Sequence, residues 1–213
     1  PLKIGVLGAA RIADDGIVDP SRVLGHRLVA VAARDRSRAE AFAVQRGVEK
    51  VHETYAEVID DPEVEVVYNA LVNSLHAKWN QYALNAGKHV LSEKPFASNA
   101  AEALVVRDVA RTAPGQIVEG FHYLHHPVNQ RLRELVTSGE LGDVQQVDIE
   151  LSIPRPPDND PRWSLELAGG ATMDLGCYVL SAARQVGRWL DEVPSVVSAE
   201  ATLKKPNVDT SMR

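Results

Sequence analysis

Two stretches of the chain carry residues whose types and spacing could support proton transfer. Glu93 and Lys94 end an apolar run and are followed at once by Pro95, which biases Lys94 towards an extended backbone. Asp174 and Tyr178 are four positions apart and would share one face of a helix. Ammonium, carboxylate and phenol groups are among those that enzymes use as general acids and bases. The alternative is that these residues have no catalytic role. Glu93 and Lys94 would then be a solvated pair in a loop, Asp174 a surface residue and Tyr178 a half-buried one.

The segment before Lys94 is predicted to be one strand of a parallel sheet. His89–Leu91 is short, partly β-branched and flanked by Gly87 and Pro95, which is typical of a buried parallel strand. Glu93 and Lys94 would then lie at its carboxyl end, where open α/β sheets bind ligands.

Strands and helices alternate throughout the first half. Further strands are predicted at Leu2–Leu7, Arg27–Ala33, Glu65–Ala70 and Gln116–Gly120. Helices are predicted at Ser37–Arg46, from a Thr54 cap through Ile59, at Leu75–Ala86 with Ser74 as its cap, and at Asn99–Thr112. This alternation predicts an α/β fold with a doubly wound parallel sheet.

The turn after the first strand has the position of a phosphate-binding loop. The sequence Gly8-Ala9-Ala10-Arg11-Ile12-Ala13 stands where a dinucleotide fingerprint G-x-G-x-x-G would be, with alanine at two of the three glycine positions. Gly8 can make the tight turn, and the alanines are small enough for a pyrophosphate to approach the backbone. Buried strand-turn-helix units also carry small residues for packing alone, so this motif by itself is weak evidence.

The end of the second strand indicates which nucleotide such a site would take. An acidic residue there normally binds the ribose 2′-hydroxyl of NAD, whereas an arginine accommodates the 2′-phosphate of NADP. Arg34 takes the first position past the strand, with Arg36 and Arg38 close behind. The sequence favours NADP, with NAD as the alternative if Asp35 presents its carboxylate. Arginines that only solvate a helix start are a third interpretation.

The second half begins with a histidine-rich stretch. His122, His125 and His126 stand within five positions, but no Cys, Asp or Glu nearby has convincing ligand spacing, so no metal site is predicted. Tyr123 and His126 follow the last parallel strand and are candidate substrate residues.

Gly176 is expected to mark a close approach to a helix backbone, because glycine destabilises a helix by roughly 1 kcal/mol relative to alanine.

The remaining elements of this half are predicted from periodicity. Helices are expected at Val128–Ser138 and from the Gly169–Tyr178 stretch to Arg188, and an antiparallel strand with one covered face at Asp143–Ile153. Pro154–Pro161 is expected to be a stiff loop leading to Arg162 and Trp163, and Lys204–Arg213 to lack a closing element.

Bulk composition limits the class of protein. With 23 Lys+Arg against 29 Asp+Glu the formal net charge is -6, which does not favour nucleic acid as a partner. No apolar run approaches the length of a membrane span, and the N-terminus lacks a signal-peptide pattern. Cys177 is the single cysteine, so no intrachain disulfide can form, and a reducing cytoplasm is the expected location. Cys177 is interpreted as a small buried residue, because no partner base is evident.

Together these motifs resemble the Gfo/Idh/MocA oxidoreductases, named after glucose-fructose oxidoreductase, inositol dehydrogenase and rhizopine catabolism. The matching stretches are Gly8–Ala13, Asn73–His76, Ala86–Pro95 and Gly169–Tyr178. The resemblance implies a dinucleotide-binding Rossmann domain at 1–121 and a C-terminal α+β domain at 122–213, whose open, mainly antiparallel sheet would back the active site. It also implies NAD(P)-dependent oxidation or reduction of sugars, polyols or related diols, and a homo-oligomer formed through the C-terminal sheet.

The resemblance also implies roles for individual residues. The family's usual catalytic set is the lysine of Glu-Lys-Pro, an aspartate, and a histidine four positions later; Lys94 and Asp174 match, and Tyr178 replaces the histidine. Tyr178 and the Ala-Ala-Arg-Asp end of the second strand are similar to the branch of NADP-dependent dihydrodiol dehydrogenase and glucose-fructose oxidoreductase. The residues expected to bind the cofactor are Gly8, Ala9, Ala10, Arg11, Ile12, Arg34, Arg38, Asn73, His76, Glu93, Lys94, Arg162 and Trp163.

These residues suggest a mechanism as a hypothesis. Tyr178 would take the proton of a substrate hydroxyl while a hydride leaves for the nicotinamide, and Asp174 would orient the substrate or the lysine. A free tyrosine has a pKa of about 10, and lowering it to about 8 requires roughly 2.7 kcal/mol. An ammonium at about 4 Å, which Lys94 could provide, supplies about 4 kcal/mol at an effective dielectric constant near 20.

Two other interpretations stay open. Some proteins resembling this family bind the nucleotide as regulators and catalyse nothing, although the retention of Lys94, Asp174 and Tyr178 favours an enzyme. Residues 122–213 contain about two clear strands, too few for a stable sheet. We therefore expect more polypeptide after Arg213 in the native protein, with a purely structural fragment as the other possibility.

Overall fold

The computed structural model describes residues 1–213, and their contacts divide the chain into two compact units, Pro1–Gly120 and Phe121–Arg213. The strands are β1 (Lys3–Leu7), β2 (Arg27–Ala32), β3 (Lys50–Val51), β4 (Val66–Asn69), β5 (His89–Ser92), β6 (Ile117–Glu119), β7 (Ala201–Lys205) and β8 (Val208–Met212). The α-helices are α1 (Asp19–Leu24), α2 (Arg36–Arg46), α3 (Tyr55–Asp60), α4 (Asn73–Asn85), α5 (Ala100–Ala110), α6 (Pro127–Thr137) and α7 (Cys177–Trp189). Two π-helical turns, Asp14–Val18 and Thr172–Gly176, run directly into α1 and α7.

The first unit is built on one parallel sheet. Its strand order is β3-β2-β1-β4-β5-β6, which confirms the predicted doubly wound topology. β1 pairs with β2 on one side and with β4 on the other, so the order reverses at β1. Ligands of such sheets bind beyond the carboxyl ends of the strands at this reversal. Gly8 follows β1 and Lys94 follows β5, so both lie at the carboxyl edge of the sheet.

The central strands are apolar because helices cover both faces of the sheet. Val6, Val31 and Val67 are fully buried. A Cβ on Gly5 would lie 2.8 Å from Val58 Cγ1, so glycine in β1 lets α3 pack directly onto the strand. The edge strand β3, which the periodicity did not predict, is only two residues long. Such a strand is too short to show alternation.

Helix ends in this unit follow the predicted caps with one exception. Thr54 accepts a hydrogen bond from Glu57 N at 3.2 Å, and Gly87 ends α4 with a φ of +76°. The prediction that Ser74 caps α4 is wrong, because the helix begins at Asn73 and Val72 is the extended N-cap residue. Ser74 therefore lies inside the first turn.

The second unit differs more from the sequence-based expectations. The strand predicted at Asp143–Ile153 is wrong, because no ladder forms there and the apolar side chains of Val144, Val147 and Leu151 are 37–46% exposed. Alternation alone does not make a strand without a hydrogen-bonding neighbour. The segment Lys204–Arg213, expected to lack a closing element, instead supplies most of the antiparallel β7–β8 hairpin.

Gly176 has no close neighbour beyond its own turn. The nearest atoms to a Cβ placed there belong to Thr172 and Ala171, at 3.4 Å and beyond, so the predicted close approach at Gly176 is wrong.

None of the helices combines the length and the apolar character that a membrane-crossing segment requires.

Candidate active site

The backbone around Lys94 is fixed by hydrogen bonds on both sides. Glu93 N donates to Asn69 O at 2.9 Å, and Gly120 N donates to Ser92 O at 2.8 Å. After the cis Lys94–Pro95 peptide bond, Phe96 N donates to Glu119 Oε1 at 2.8 Å. Lys94 is thus carried by a segment that is tied to β4 and β6, which holds its backbone in one place.

A buried polar network supports this segment from below. Asn69 Nδ2 donates to Asn80 Oδ1 at 2.8 Å, Asn80 Nδ2 to Ser92 Oγ at 3.0 Å, and Ser92 Oγ to Glu93 O at 3.1 Å. All three side chains are fully buried. Burying a polar group is costly unless the group is hydrogen-bonded. A series of bonds in which every member is paired therefore fixes the relative positions of β4, α4 and β5. Sequence reasoning missed these residues, although asparagine and serine at the ends of two apolar strands were a usable signal.

His76 connects the turn after β4 to the segment after β5. Its Nδ1 lies 2.7 Å from Pro95 O and its Nε2 lies 2.9 Å from Leu71 O, and the residue is 1% exposed. Burial lowers the pKa of His76, although both carbonyls and Glu93 oppose this direction. Both ring nitrogens face backbone carbonyls, so His76 holds Pro95 in place.

The turn after β1 has the geometry expected of a phosphate-binding loop. Gly8 has a φ of +91° and its N–H donates to Ala32 O at 2.8 Å. A Cβ at this position would meet Leu71 Cδ2 at 3.0 Å in a conformation that L-residues rarely adopt. Ala13 is fully buried beneath the turn, so the residues Ala9, Ala10, Arg11 and Ile12 form its outer rim.

A cleft of about 290 Å³ opens beside this turn. It is lined by Ala9, Ala10, Arg11, Arg38, Ala41, Phe42, Gln45 and Arg46. Arg38 Nη2 donates to Ala9 O at 3.0 Å, and this bond ties α2 to the turn. The Arg46 guanidinium is bound to Asp14 at 2.5 and 2.8 Å and stacks over Phe42. The cleft therefore carries two further arginines, Arg11 and Arg38.

Asp35 is occupied by the start of α2. Its Oδ1 accepts hydrogen bonds from Ser37 N at 2.9 Å and from Ser37 Oγ at 2.7 Å. These bonds hold the pKa of Asp35 below its usual value. Asp35 is thus the N-cap of α2, whereas Arg34 before it is exposed.

In the second unit, Tyr178 belongs to an aromatic cluster. Its ring lies 5.4 Å from that of Phe121, 6.0 Å from that of His122 and 6.1 Å from that of Tyr123. The Tyr123 hydroxyl is hydrogen-bonded to Ser181 Oγ at 2.8 Å, one turn further along α7. The structure therefore brings the candidate residues Tyr123 and Tyr178 together, and adds His122. His126 lies elsewhere, as the N-cap of α6, where its Nδ1 accepts from Val128 N.

Asp174 is held by Arg162. Arg162 Nε donates to Asp174 Oδ2 at 2.7 Å, and Arg162 Nη1 also contacts Asp160. The neighbouring Trp163 is 6% exposed, donates its indole N–H to Pro157 O at 2.9 Å, and is covered by Lys204 at 4.4 Å from the ring. Arg162 thus orients the Asp174 carboxylate, while Trp163 is a packing residue of the proline-rich loop.

The turn that carries Asp174 is fixed at its start by Asp209, which the sequence analysis did not single out. Asp209 Oδ2 accepts from Thr172 N and from Thr172 Oγ1, both at 2.8 Å. A Cβ on Gly170, whose φ is +112°, would lie 2.3 Å from Asp209 Oδ1. The close approach in this stretch therefore occurs at Gly170 instead of Gly176.

Known proteins resemble the chain over almost its whole length. Residues 2–121 match the oxidoreductase family with an NAD-binding Rossmann fold, GFO/IDH/MocA, and residues 129–212 match the GFO/IDH/MocA C-terminal domain. D-xylose 1-dehydrogenase (NADP(+)) 2 of Haloferax volcanii is 37% identical over 99% of this chain and 64% of its own length. Trans-1,2-dihydrobenzene-1,2-diol dehydrogenase of Xenopus tropicalis is 32% identical over 99% of this chain and 63% of its own length.

Solved structures give the same result. A 3-ketoreductase from Actinomadura kijaniata, in complex with NADP and TDP-benzene, superposes with a TM-score of 0.82 at 32% identity, covering 95% of this chain and 60% of that one. The chain spans less than two thirds of the length of each of these relatives. With more than half of its residues matched by the family's nucleotide-binding domain, the chain belongs to the Gfo/Idh/MocA oxidoreductase family.

Proposed function

We propose that this chain is part of an NADP-dependent oxidoreductase that transfers a hydride between the nicotinamide and a hydroxyl or carbonyl group of a sugar, polyol or cyclic diol. In this proposal residues 1–121 bind the dinucleotide, and residues 122–213 contribute to substrate binding and to oligomer formation through the C-terminal sheet. The observation that carries the choice of cofactor is the engagement of Asp35 as a helix cap beside an arginine-lined cleft.

The cofactor proposal follows from the charges at the end of β2. A ribose 2′-hydroxyl needs an acceptor carboxylate, and the Asp35 Oδ1 atom already accepts two hydrogen bonds from Ser37. A 2′-phosphate needs guanidinium donors, which Arg11 and Arg38 present at the cleft, and the exposed Arg34 precedes Asp35 in the same loop. The pyrophosphate would lie against the Gly8 turn. The Haloferax relative is named as an NADP⁺ dehydrogenase and the Actinomadura reductase binds NADP in its crystal structure, which supports the same choice.

The chemical step is proposed for Lys94, Asp174 and Tyr178. The bound nicotinamide supplies the hydride acceptor or donor. In oxidation, the substrate O–H proton passes to the Tyr178 oxygen while the C–H bond electrons leave as hydride, and reduction reverses both transfers. The Lys94 ammonium would stabilise the phenolate form of Tyr178, and the carboxylate of Asp174, oriented by Arg162, would accept a hydrogen bond from the substrate.

Within the second unit, Tyr123 and His122 are proposed to line the substrate pocket next to Tyr178. Asn73, the first residue of α4, is proposed to contact the cofactor at the carboxyl end of β4. The dehydrogenase and reductase relatives act, by their names, on xylose, on a dihydrobenzene diol and on TDP-linked sugars. Sugars and vicinal diols are therefore the first substrates to test.

The test measures nucleotide reduction at 340 nm with the purified full-length protein. NADP⁺ and NAD⁺ are each combined with D-xylose, other aldoses, polyols and trans-dihydrodiols, and binding of NADPH is measured separately by fluorescence. The proposal predicts turnover with at least one sugar or diol and a preference for NADP⁺. Tight NADPH binding without turnover of any substrate would overturn the proposal that the protein is an oxidoreductase. It would instead support a regulatory protein that binds the nucleotide.

A further inference from the structure

Tyr68 joins β4 to the segment that carries Lys94. The residue is 1% exposed, and its hydroxyl donates to Glu93 Oε1 at 2.6 Å. That distance is typical of a hydroxyl bound to an ionised carboxylate. Burial, and then the charge of Glu93, raise the pKa of Tyr68, so the phenol stays protonated and acts as a donor.

Gly16 provides the space for this contact. A Cβ at position 16 would lie 2.3 Å from the Tyr68 hydroxyl oxygen and 3.4 Å from Glu93 Oε1. The backbone of Gly16 does not have a positive φ, so its conformation suits any residue. Space for the phenol is therefore the reason for glycine in the Asp14–Val18 turn, and three separate elements are matched to one carboxylate.

Resting on the proposed function, we infer that Tyr68 is a positioning residue, which fixes Lys94 in the active site by binding the side chain of Glu93. Glu93 and Lys94 are consecutive, and Glu93 N is also bonded to Asn69 O at 2.9 Å in the same strand β4. Tyr68 and Asn69 thus hold both the side chain and the backbone of Glu93. In this inference, the Oε1 atom of Glu93 serves to hold the segment that carries Lys94.

The Glu93 carboxylate needs this donor because it is half-buried. Without the phenol, the carboxylate would turn towards water, and the Glu93–Lys94 segment would lose one of the contacts that fix its position. Misplacing a reacting group by about 1 Å costs up to about 10²-fold in rate. The expected effect is therefore on turnover, and binding of the nucleotide should change little.

Replacing Tyr68 by phenylalanine removes only the hydroxyl. We expect Tyr68→Phe to lower kcat about 10-fold or more while changing the Kd of NADPH by less than about threefold. The matched control is Tyr82→Phe, because the Tyr82 hydroxyl donates to Asp60 at 3.0 Å on the surface, and it should leave both quantities unchanged. Equal kcat in Tyr68→Phe and the unaltered protein would overturn the inference.

Substitutions at Glu93 separate positioning from direct contact. Glu93→Gln keeps a carbonyl oxygen that can accept from Tyr68, so it should retain most of kcat, whereas Glu93→Ala should resemble Tyr68→Phe. The double variant Tyr68→Phe/Glu93→Ala should be no slower than either single variant. A rise of 10-fold or more in the NADPH Kd of Glu93→Ala, about 1.4 kcal/mol, would instead show direct binding of the cofactor and overturn the inference.

A crystal structure of Tyr68→Phe tests the inference without any turnover. Lys94 is expected to shift by about 1 Å relative to the unaltered protein. An unmoved Glu93–Lys94 pair would overturn the inference even if the protein proves to be an enzyme. A shifted pair in a protein that turns over no substrate would support the positioning contact and reject the proposed function.

Discussion

At the scale of single residues, the cofactor choice depends on what Asp35 does with its carboxylate. The sequence left two alternatives open, because Arg34, Asp35 and Arg38 all follow β2 and a small backbone shift would exchange their roles. The structure places the carboxylate on Ser37 at the start of α2 and Arg38 on the Ala9 carbonyl beside the cleft. A capping bond can be suspected from an Asp-x-Ser pattern, but which side chain faces the nucleotide depends on the loop's path.

Arg38→Ala tests this arrangement. Because a guanidinium-phosphate contact contributes roughly 1.5–3 kcal/mol, we expect the Kd of NADPH to rise about 10- to 100-fold and the Kd of NADH to change little. Titration of nucleotide fluorescence measures both. Arg36→Ala is the control, since Arg36 is paired with Glu40 and Glu53 on the surface. Equal losses for NADPH and NADH would show that Arg38 only supports the turn.

At the scale of elements, helix starts and strand ends hold the candidate catalytic groups. Lys94 follows β5, and Asp174 lies in the Thr172–Gly176 turn before α7. The start of that turn is bound by Asp209 of β8. Local signals such as Thr54 and Gly87 predicted helix ends correctly, because caps involve neighbours in sequence. Asp209 is 37 positions from Thr172, and the false strand at Asp143–Ile153 shows the same limit, since pairing requires a partner that periodicity does not identify.

Asp209→Leu should loosen the start of the Thr172–Gly176 turn, which carries Asp174. Leaving Thr172 N and Oγ1 without their acceptor is expected to lower the free energy of unfolding by about 1–3 kcal/mol and to reduce turnover. Asp209→Asn can keep an acceptor oxygen in the same place and should have a smaller effect on both. Urea denaturation and turnover measure the two quantities, with Asp108→Leu on the surface of α5 as the control. Undiminished turnover in Asp209→Leu would mean that the hairpin does not position Asp174.

Asp61 makes the stability of the first unit dependent on pH. Burial alone would raise the pKa of Asp61, but hydrogen bonds from Glu63 N, His52 and Lys50 outweigh it and lower the pKa from 3.8 to about 2. A carboxylate whose folded pKa is depressed stabilises the fold above its unfolded pKa, and this contribution is lost as the pH falls through the folded value.

Asp61→Asn should therefore lower the free energy of unfolding by about 2 kcal/mol at pH 7. The difference from the unaltered protein should shrink as the pH falls from about 4 to about 2. Urea denaturation at several pH values measures this, and a difference that stays constant with pH would contradict the assignment.

At the scale of the whole molecule, the nucleotide-binding unit was far more predictable than the unit that follows it. Most of its strands are short apolar runs next to glycine or proline, and their alternation with helices predicted a doubly wound parallel sheet. The buried network of Asn69, Asn80 and Ser92 was not predicted, since its members come together only when β4, α4 and β5 pack. Family resemblance supplied what spacing alone did not, namely the pairing of Lys94 with Asp174 and Tyr178 as one proposed site.

The most direct test of this site is the turnover of Tyr178→Phe, measured beside its Kd for NADPH. If Tyr178 transfers the proton, turnover should fall about 10²- to 10⁴-fold while the Kd stays the same. The control is Tyr55→Phe, which should keep both values, because Tyr55 packs against Trp79 in the first unit. Unchanged turnover in Tyr178→Phe would contradict the account, remove Tyr178 from the chemistry and make His122, whose ring lies beside that of Tyr178, the next candidate for the proton transfer.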